Sequence, residues 1–431
     1  MITRRKILKS SAYFAAPFIL PAQLRSEETE PSEKITIGII GMGKRSQPLL
    51  PEFLKRENVQ VVAVCDVDTD RREDGKNRVD AFYENKDCAA YNDFREITGD
   101  PKIDAVVIIT PDHWHVIQIL EALNNGKDVY AEKPLTHNIR ESKLLMDAYL
   151  ASDRIVQTGS QQRSMREFRV GAELARNGIL GKIKSGVVSF GGLAKACDLP
   201  GQEPPKGLDW DLWQGPAPLR PYNEILSPRG VHRHFPKWRM YTEYGGGMIT
   251  DWGAHHIDIV QWALGKDDSG PDAAIPPAGK DAESGASLLY GDISITHGKS
   301  MGVTITGEEG EVNLARGGFS LTLGDKEFKP EKGGLKKILD LVEAEYLEDP
   351  ETVLNRSTDH VGSFLDSIKS REQPNANAIV GSRSINACHL MNLAYFHDVD
   401  IKWDPVKATY AEGEKHPEEW LTRSYRKEWT I

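Results

Sequence analysis

Cysteine is scarce and unpatterned. Four occur in 431 residues, at positions 65, 88, 197 and 388, and no two form a CxxC pair. That spacing argues against a disulfide-built scaffold and against a compact zinc site. Cys65 in an apolar strand pattern and Cys388 in a helical one read as small buried residues. Long apolar runs are also missing: beyond the first thirty residues nothing is long enough to span a bilayer. Positive charge is not in excess, since 64 acidic and 54 basic residues leave a formal net charge of -10. The two signs are mixed, with no basic stripe or arginine-rich arm to serve a nucleic acid. There is no internal repeat. The length suits two domains or one very large one.

Basic residues do gather at the start. "MITRRKILKSSAYFAAPFILPA" sets Arg4, Arg5, Lys6 and Lys9 before an apolar stretch and Ala22, the pattern of a secretory signal. Thr3 to Lys9 resembles the twin-arginine export motif. The expectation is an export signal and linker over residues 1–30, the twin-arginine export machinery as a partner, and a periplasmic or exported protein with no stable membrane insertion after export.

The next stretch reads as strand, turn, helix, strand. "ITIGIIG" ends in glycine, "GMGKRS" follows, and a helix-compatible segment leads to "VQVVAVCDVD". Gly41 and Gly43 take the first two places of a dinucleotide-binding fingerprint, with Lys44 and Arg45 beside them and Ser46 where Gly or Ala is usual. Asp66 ends the second strand, where a carboxylate accepts the adenosine-ribose hydroxyls and repels a 2′-phosphate. NAD is favoured over NADP, with Arg71 and Arg72 close enough in sequence to bear on the choice. The alternative for Asp66 is a helix cap. Thr110, Pro111, Asp112, His113 and Trp114 form the loop after a third apolar run, where a nicotinamide would rest. His113 and His115 are either structural or coenzyme contacts, because a bare i, i+2 pair is weak as a metal site. In "VYAEKPLTHN" a strand delivers Glu132 and Lys133 at its carboxyl end, the ligand edge of a parallel sheet, and Pro134 holds Lys133 extended.

From residue 156 the character changes. Residues 204–245 are rich in aromatics and proline, including Trp238 and Arg239, a composition suited to the apolar faces and polar edges of a sugar or polyol. "GGGMITDWGAHHIDIVQWALG" predicts a helix with Asp251 and His255 on one face, where the carboxylate could orient a histidine base. A helix salt bridge at an interface is the competing reading. His256 points elsewhere. Strand-like segments between 286 and 324 predict a largely antiparallel sheet, and two amphipathic helices follow near the C-terminus.

Taken in order, "IGIIGMG", "VCDVD", "TPDHWH", "AEKP" and "GGGMITDWGAHHID", with "LDWDLWQGPAP" and "GEEGEVNLARGG", resemble the Gfo/Idh/MocA family of the glucose–fructose oxidoreductase and inositol dehydrogenase relatives. The resemblance implies an α/β chain: a Rossmann NAD-binding domain over 34–155, a C-terminal α/β domain with a large, mostly antiparallel open sheet over 156–400 for substrate and oligomer contacts, and a peripheral tail over 401–431. It further implies Lys133, Asp251 and His255 as the catalytic set. Gly41, Gly43, Lys44, Arg45, Asp66, Thr110, Pro111, His113, Trp114, Glu132 and Lys133 would lie on the coenzyme. Gln161, Arg163, Trp238, Arg239 and His256 would lie on the substrate. The expected activity is hydride transfer between a sugar or polyol hydroxyl carbon and a tightly bound NAD, in a homo-oligomer (dimer or tetramer) without a metal. A redox-neutral, NAD-dependent glycosidase and a non-catalytic NAD- and sugar-binding protein are the alternatives.

Overall fold

The computed structural model describes residues 34–279, 282–299 and 302–431, so the expected export signal and linker over residues 1–30 lie outside the described residues. The first sheet is built from β1 (Ile35–Ile40), β2 (Val59–Cys65), β3 (Ala89–Tyr91), β4 (Ala105–Ile108), β5 (Asp128–Ala131) and β6 (Val156–Thr158). These strands pair in parallel in the order 3-2-1-4-5-6. The connecting helices are α1 (Ser46–Leu54), α2 (Thr69–Tyr83), α3 (Arg95–Thr98), α4 (His115–Asn124) and α5 (Ile139–Leu150). Alternate strand residues serve two separate cores. Ile37, Val61 and Val107 pack with Phe53 of α1 on one side, while Val106, Ile108 and Val129 pack with Ile119 of α4 and Leu145 of α5 on the other. Burial on both faces is why these strands read as continuous apolar runs. Strand order reverses between β1 and β4, which opens a crevice at their carboxyl ends.

Downstream of α6 (Arg166–Arg176), β7 (Ile183–Ser189) joins β8 (Ala273–Ile275), β9 (Ser287–Tyr290), β10 (Ile293–His297), β11 (Gly302–Gly307), β12 (Gly310–Ala315), β13 (Gly318–Leu323), β14 (Lys326–Phe328), β15 (Ile401–Asp404) and β16 (Thr409–Tyr410). The ten strands run in the order 14-13-12-11-7-10-9-8-15-16, and β7 pairs with β10 in parallel. Val303, Ile305, Val312, Leu314 and Leu321 turn into the core. On the opposite face the Thr304 hydroxyl donates to Asn313 Oδ1 at 2.6 Å. The chain from 401, expected as tail, begins inside this sheet. Its far end packs Trp429 against Phe94 and Trp114.

The remaining helices are α7 (Trp210–Gln214), α8 (Gly247–Asp251), α9 (Gly253–Leu264), α10 (Leu335–Tyr346), α11 (His360–Ser370) and α12 (Ala378–His397). The single helix expected over 245–265 is two, α8 and α9, meeting at Trp252. The expected amphipathic character of α12 is also corrected. It is buried nearly all round because α5, α8, α9 and β8 pack against it.

Arg163, expected on the substrate, is instead wholly buried. It follows β6 in a short 3-10 turn (Gln161–Ser164) and points into the second core. Its Nε and Nη2 donate to the two Asp258 oxygens at 2.8 and 2.9 Å, and Nη2 and Nη1 donate to Asp267 at 2.7 and 3.0 Å. The Ser384 hydroxyl of α12 donates to Asp258 Oδ1 at 2.7 Å. The Trp262 ring lies 5.1 Å from the guanidinium. A guanidinium is the group that can satisfy two carboxylates at once. Replacing Arg163 by Leu strands Asp258 in the core. The expected loss is about 3–5 kcal/mol in denaturant unfolding, partly recovered when Asp258→Leu is added.

Candidate active site

The first crevice begins at Gly41. Its φ is +97°, and a Cβ there would lie 2.7 Å from the Ile109 carbonyl oxygen, so the turn requires glycine. At Gly43 a Cβ would meet nothing within 4 Å. That open space on the cavity wall is what close approach of a pyrophosphate needs. Ser46, the departure from the fingerprint, is buried without crowding: its hydroxyl donates to the Gly43 carbonyl at 2.7 Å. Asp66 lies on the same wall. It accepts the Met42 N–H at 2.7 Å and the Asp68 N–H at 2.9 Å, leaving lone pairs for ribose hydroxyls. Burial pushes its carboxyl above the ordinary value against the pull of Arg71. The helix cap is Asp68, which accepts from the Asp70 and Arg71 N–H groups of α2. Arg71 and Arg72 are both committed to main-chain carbonyls, Arg71 to Gly230 and Pro228, Arg72 to Asp66. These residues fit an NAD rather than a 2′-phosphorylated coenzyme.

The crevice continues as one cavity of about 550 Å³ into the second half of the chain, where Lys133, Asp251 and His255 line it together. Lys133 Nζ donates to Asp251 Oδ1 at 2.7 Å and to the Asp251 carbonyl at 2.8 Å. Arg239 Nε lies 3.6 Å from the same carboxylate oxygen, its guanidinium 4.5 Å from the Trp238 ring centre. Burial works against ionising Asp251, yet Lys133 and Arg239 hold its carboxyl below the ordinary value. The expected Asp251–His255 pairing is not formed. Two cations outbid an imidazole for the carboxylate, and His255 Nδ1 has no hydrogen-bond partner. Burial, then Lys133 and Arg316, push the His255 imidazole well below its ordinary value. It is therefore a neutral base facing cations. Glu132 takes Arg45 Nε at 2.8 Å.

Lys44, Thr110, Pro111, Trp114 and Gln161 also lie on the cavity wall, whereas three expected residues do not. Arg163 is the core residue described above. His113 sits beneath Trp213, with Nε2 3.0 Å from the Trp213 carbonyl, and burial with nearby Arg423 pushes it down to about 3. His256, buried, turns Nδ1 to the Ser189 carbonyl at 2.8 Å. His115 likewise is structural, its ring nitrogens 2.6 and 2.8 Å from the Pro134 and Thr110 carbonyls.

Asp112 and Arg316 also lie on the wall, although the sequence assigns neither of them a role. Asp112 is 3% exposed, and burial followed by the Asp251 charge pushes its carboxyl up to about 8. Arg316 leans on the Trp252 ring at 4.6 Å from the hairpin between β12 and β13. An aspartate directly after Thr110-Pro111 was a readable signal, but nothing local marks Arg316 as facing a site carried by other strands.

A sequence profile described as the oxidoreductase family's NAD-binding Rossmann fold matches residues 35–160, and one for its C-terminal α/β domain matches residues 192–431. A glycosyl hydrolase family 109 protein of Saccharopolyspora erythraea is 30% identical over 188 residues, 42% of this chain and 41% of that protein. The myo-inositol 2-dehydrogenase of Thermotoga maritima is 30% identical over 147 residues, 34% of this chain and 42% of that protein. The matched stretches thus span less than half the length of either curated relative. The crystal structure of aldose-aldose oxidoreductase from Caulobacter crescentus, complexed with glycerol, shares the fold at 17% identity, with a TM-score of 0.59 over 86% of this chain and 99% of that one. With the two profiles falling on the two halves that meet at the cavity, the chain belongs to the Gfo/Idh/MocA oxidoreductase family.

Proposed function

We propose that this protein is an NAD-dependent oxidoreductase that moves hydride between a hydroxyl-bearing carbon of a sugar or polyol and a coenzyme it keeps bound. The observation that carries the reading is the single cavity joining Gly43 and Asp66 to Lys133, Asp251 and His255. Gly41, Gly43 and Asp66 would hold the dinucleotide, which supplies the hydride acceptor when bound. His255, neutral and buried, takes the hydroxyl proton. Lys133, fixed by Asp251, donates to the same oxygen as negative charge develops, a preorganised stabilisation that is strong in a desolvated site. Arg239 and Trp238 offer a guanidinium edge and a flat face to ring hydroxyls and C–H groups.

The glycosyl hydrolase relative and the raised pKa of Asp112 favour a second reading, in which oxidation at one ring carbon acidifies the adjacent C–H, that proton and a leaving group are eliminated, water adds to the resulting double bond, and the hydride returns. Export through the twin-arginine route suits a chain carrying its coenzyme folded inside. That reading rests on Arg4 and Arg5 in the sequence. The open face of the ten-stranded sheet, with Val187 41% exposed, is the proposed homo-oligomer surface.

Purified protein presented with sugars, polyols and aryl glycosides should reduce its bound coenzyme on a free sugar or polyol, read at about 340 nm, an absorbance of the cofactor's own chemistry. Release of the aryl group with no lasting absorbance change would replace this reading with the second. His255→Ala should lower kcat by about 10²–10⁴, and Lys133→Ala by about 10²–10³. Because the His255 pKa is depressed, the base stays deprotonated as pH falls, and the acid limb of kcat/KM should lie below about 6.5, the ordinary histidine value. Because the Asp112 pKa is raised to about 8, its charge appears above that pH. An alkaline limb there should vanish in Asp112→Asn. Changing Arg4 and Arg5 to Lys should retain the protein in the cytoplasmic fraction.

A further inference from the structure

The adenosine end of the cavity is not walled by the first sheet alone. Leu226, Ser227 and His232, from the aromatic segment of the second half, line the same cavity as Asp66 and Asn92, with His232 Nε2 3.4 Å from Arg71 Nη2. This segment is tied to the loop between β2 and α2 by a compact set of polar contacts. Asp68, wholly buried, accepts Arg229 Nη1 at 2.5 Å and the Gly230 N–H at 2.8 Å, in addition to capping α2. Arg229 Nη2 reaches Asp70 at 2.9 Å. In the opposite direction Arg71 Nε donates to the Gly230 carbonyl at 2.9 Å, and Arg71 also donates to the Pro228 carbonyl. A neighbouring segment adds the Thr69 N–H and hydroxyl, both donating to the Gly207 carbonyl at 2.9 Å, and the Asp209 N–H on the Val67 carbonyl at 2.9 Å.

This inference rests on the proposal that the cavity holds NAD. We propose that residues 226–232 are a latch over the adenosine end, held shut by Arg229 on Asp68, and that coenzyme leaves only when the latch opens. Asp68 is the reason for its strength. A carboxylate with no access to water must keep partners, and two of them, the Arg229 guanidinium and the Gly230 N–H, belong to the latch. Opening therefore exposes a charge that the closed state satisfies. The latch and the β2–α2 loop carrying Asp66 move as one body while these bonds hold. Arg229 is a positioning residue: it is not among the residues lining the cavity, and it acts through Asp68 and the latch.

The test is the rate at which bound NADH leaves the full-length protein, followed by coenzyme fluorescence after a chase with excess NAD. Arg229→Ala should release NADH at least tenfold faster, the scale of one lost charge-assisted bond. Arg229→Lys, which keeps a cation on Asp68, should stay within about threefold of the parent, a charge retained without the full fork. A purely structural role would not separate the two variants in this way. Equal release from Arg229→Ala and the parent, within about twofold, overturns the latch while leaving the oxidoreductase reading intact, since that reading needs only that the parent bind NADH. A parent that binds no NADH overturns both. Should Arg229→Ala fail to fold, the salt dependence of release from the parent decides the matter. The latch is supported if added salt, which screens the partly exposed Arg229, speeds release, and it is overturned if release is indifferent to salt.

Discussion

The seating of α9 depends on one buried guanidinium. Arg163 leaves the last strand of the parallel sheet and is spent on Asp258 and Asp267, with Asp258 also held by Ser384 of α12. Two charges taken out of water are costly, and only close geometry with every lone pair satisfied returns that cost. The cluster therefore has little freedom to slide. Asp258 lies one turn along α9 from His255, so fixing the former fixes the depth to which the latter enters the cavity. The same residue thus joins the first sheet, the helix bearing the base, and the long helix behind it.

Around the cavity the electrostatics follow from that placement. Four cations, Arg45, Lys133, Arg239 and Arg316, converge on a wall that carries Glu132, Asp251 and Asp112. Glu132 and Asp251 are paired with cations, whereas burial and the charge of Asp251 favour the protonated form of Asp112. A buried imidazole among cations remains neutral. The site accordingly offers a base without a charge, an ammonium with its orientation fixed, and a carboxyl able to donate. The depressed His255 and the raised Asp112 are set by desolvation and by the charges of neighbouring segments, and the orientation of Lys133 by its bonds to Asp251.

The coenzyme half was the more legible in the sequence because its signals are local. Gly41 and Gly43 must lie where a strand turns into a helix, Asp66 at the end of the next strand, and Lys133 ahead of a proline, all within spans of a few residues. The substrate half was legible only in part. Asp251 and His255 were found, but their four-residue spacing suggested a mutual bond, and competition from Lys133, 118 residues away in the chain, decided otherwise. Arg163 and His256 carry the residue types of a substrate site and are polar enough to suggest one, yet both satisfy buried partners. Sequence adjacency to a strand end cannot tell a side chain turned into a core from one turned into a crevice.

By itself, then, the sequence determined the alternation of apolar runs and glycine turns that makes a parallel sheet, the second sheet of alternating strands, and a set of polar residues, Lys133, Asp251 and His255, that the fold brings to one cavity. Those are consequences of backbone sterics and of period-2 and period-3.6 burial, which act over short distances. The tertiary structure alone decided which polar groups pair, which carboxyl is pushed toward its protonated form, that Arg71 and Arg72 are bonded to main-chain carbonyls, and that the aromatic segment closes on Asp68. Those outcomes depend on desolvation and on distances between segments far apart in the chain, and neither quantity exists until the two sheets are packed together.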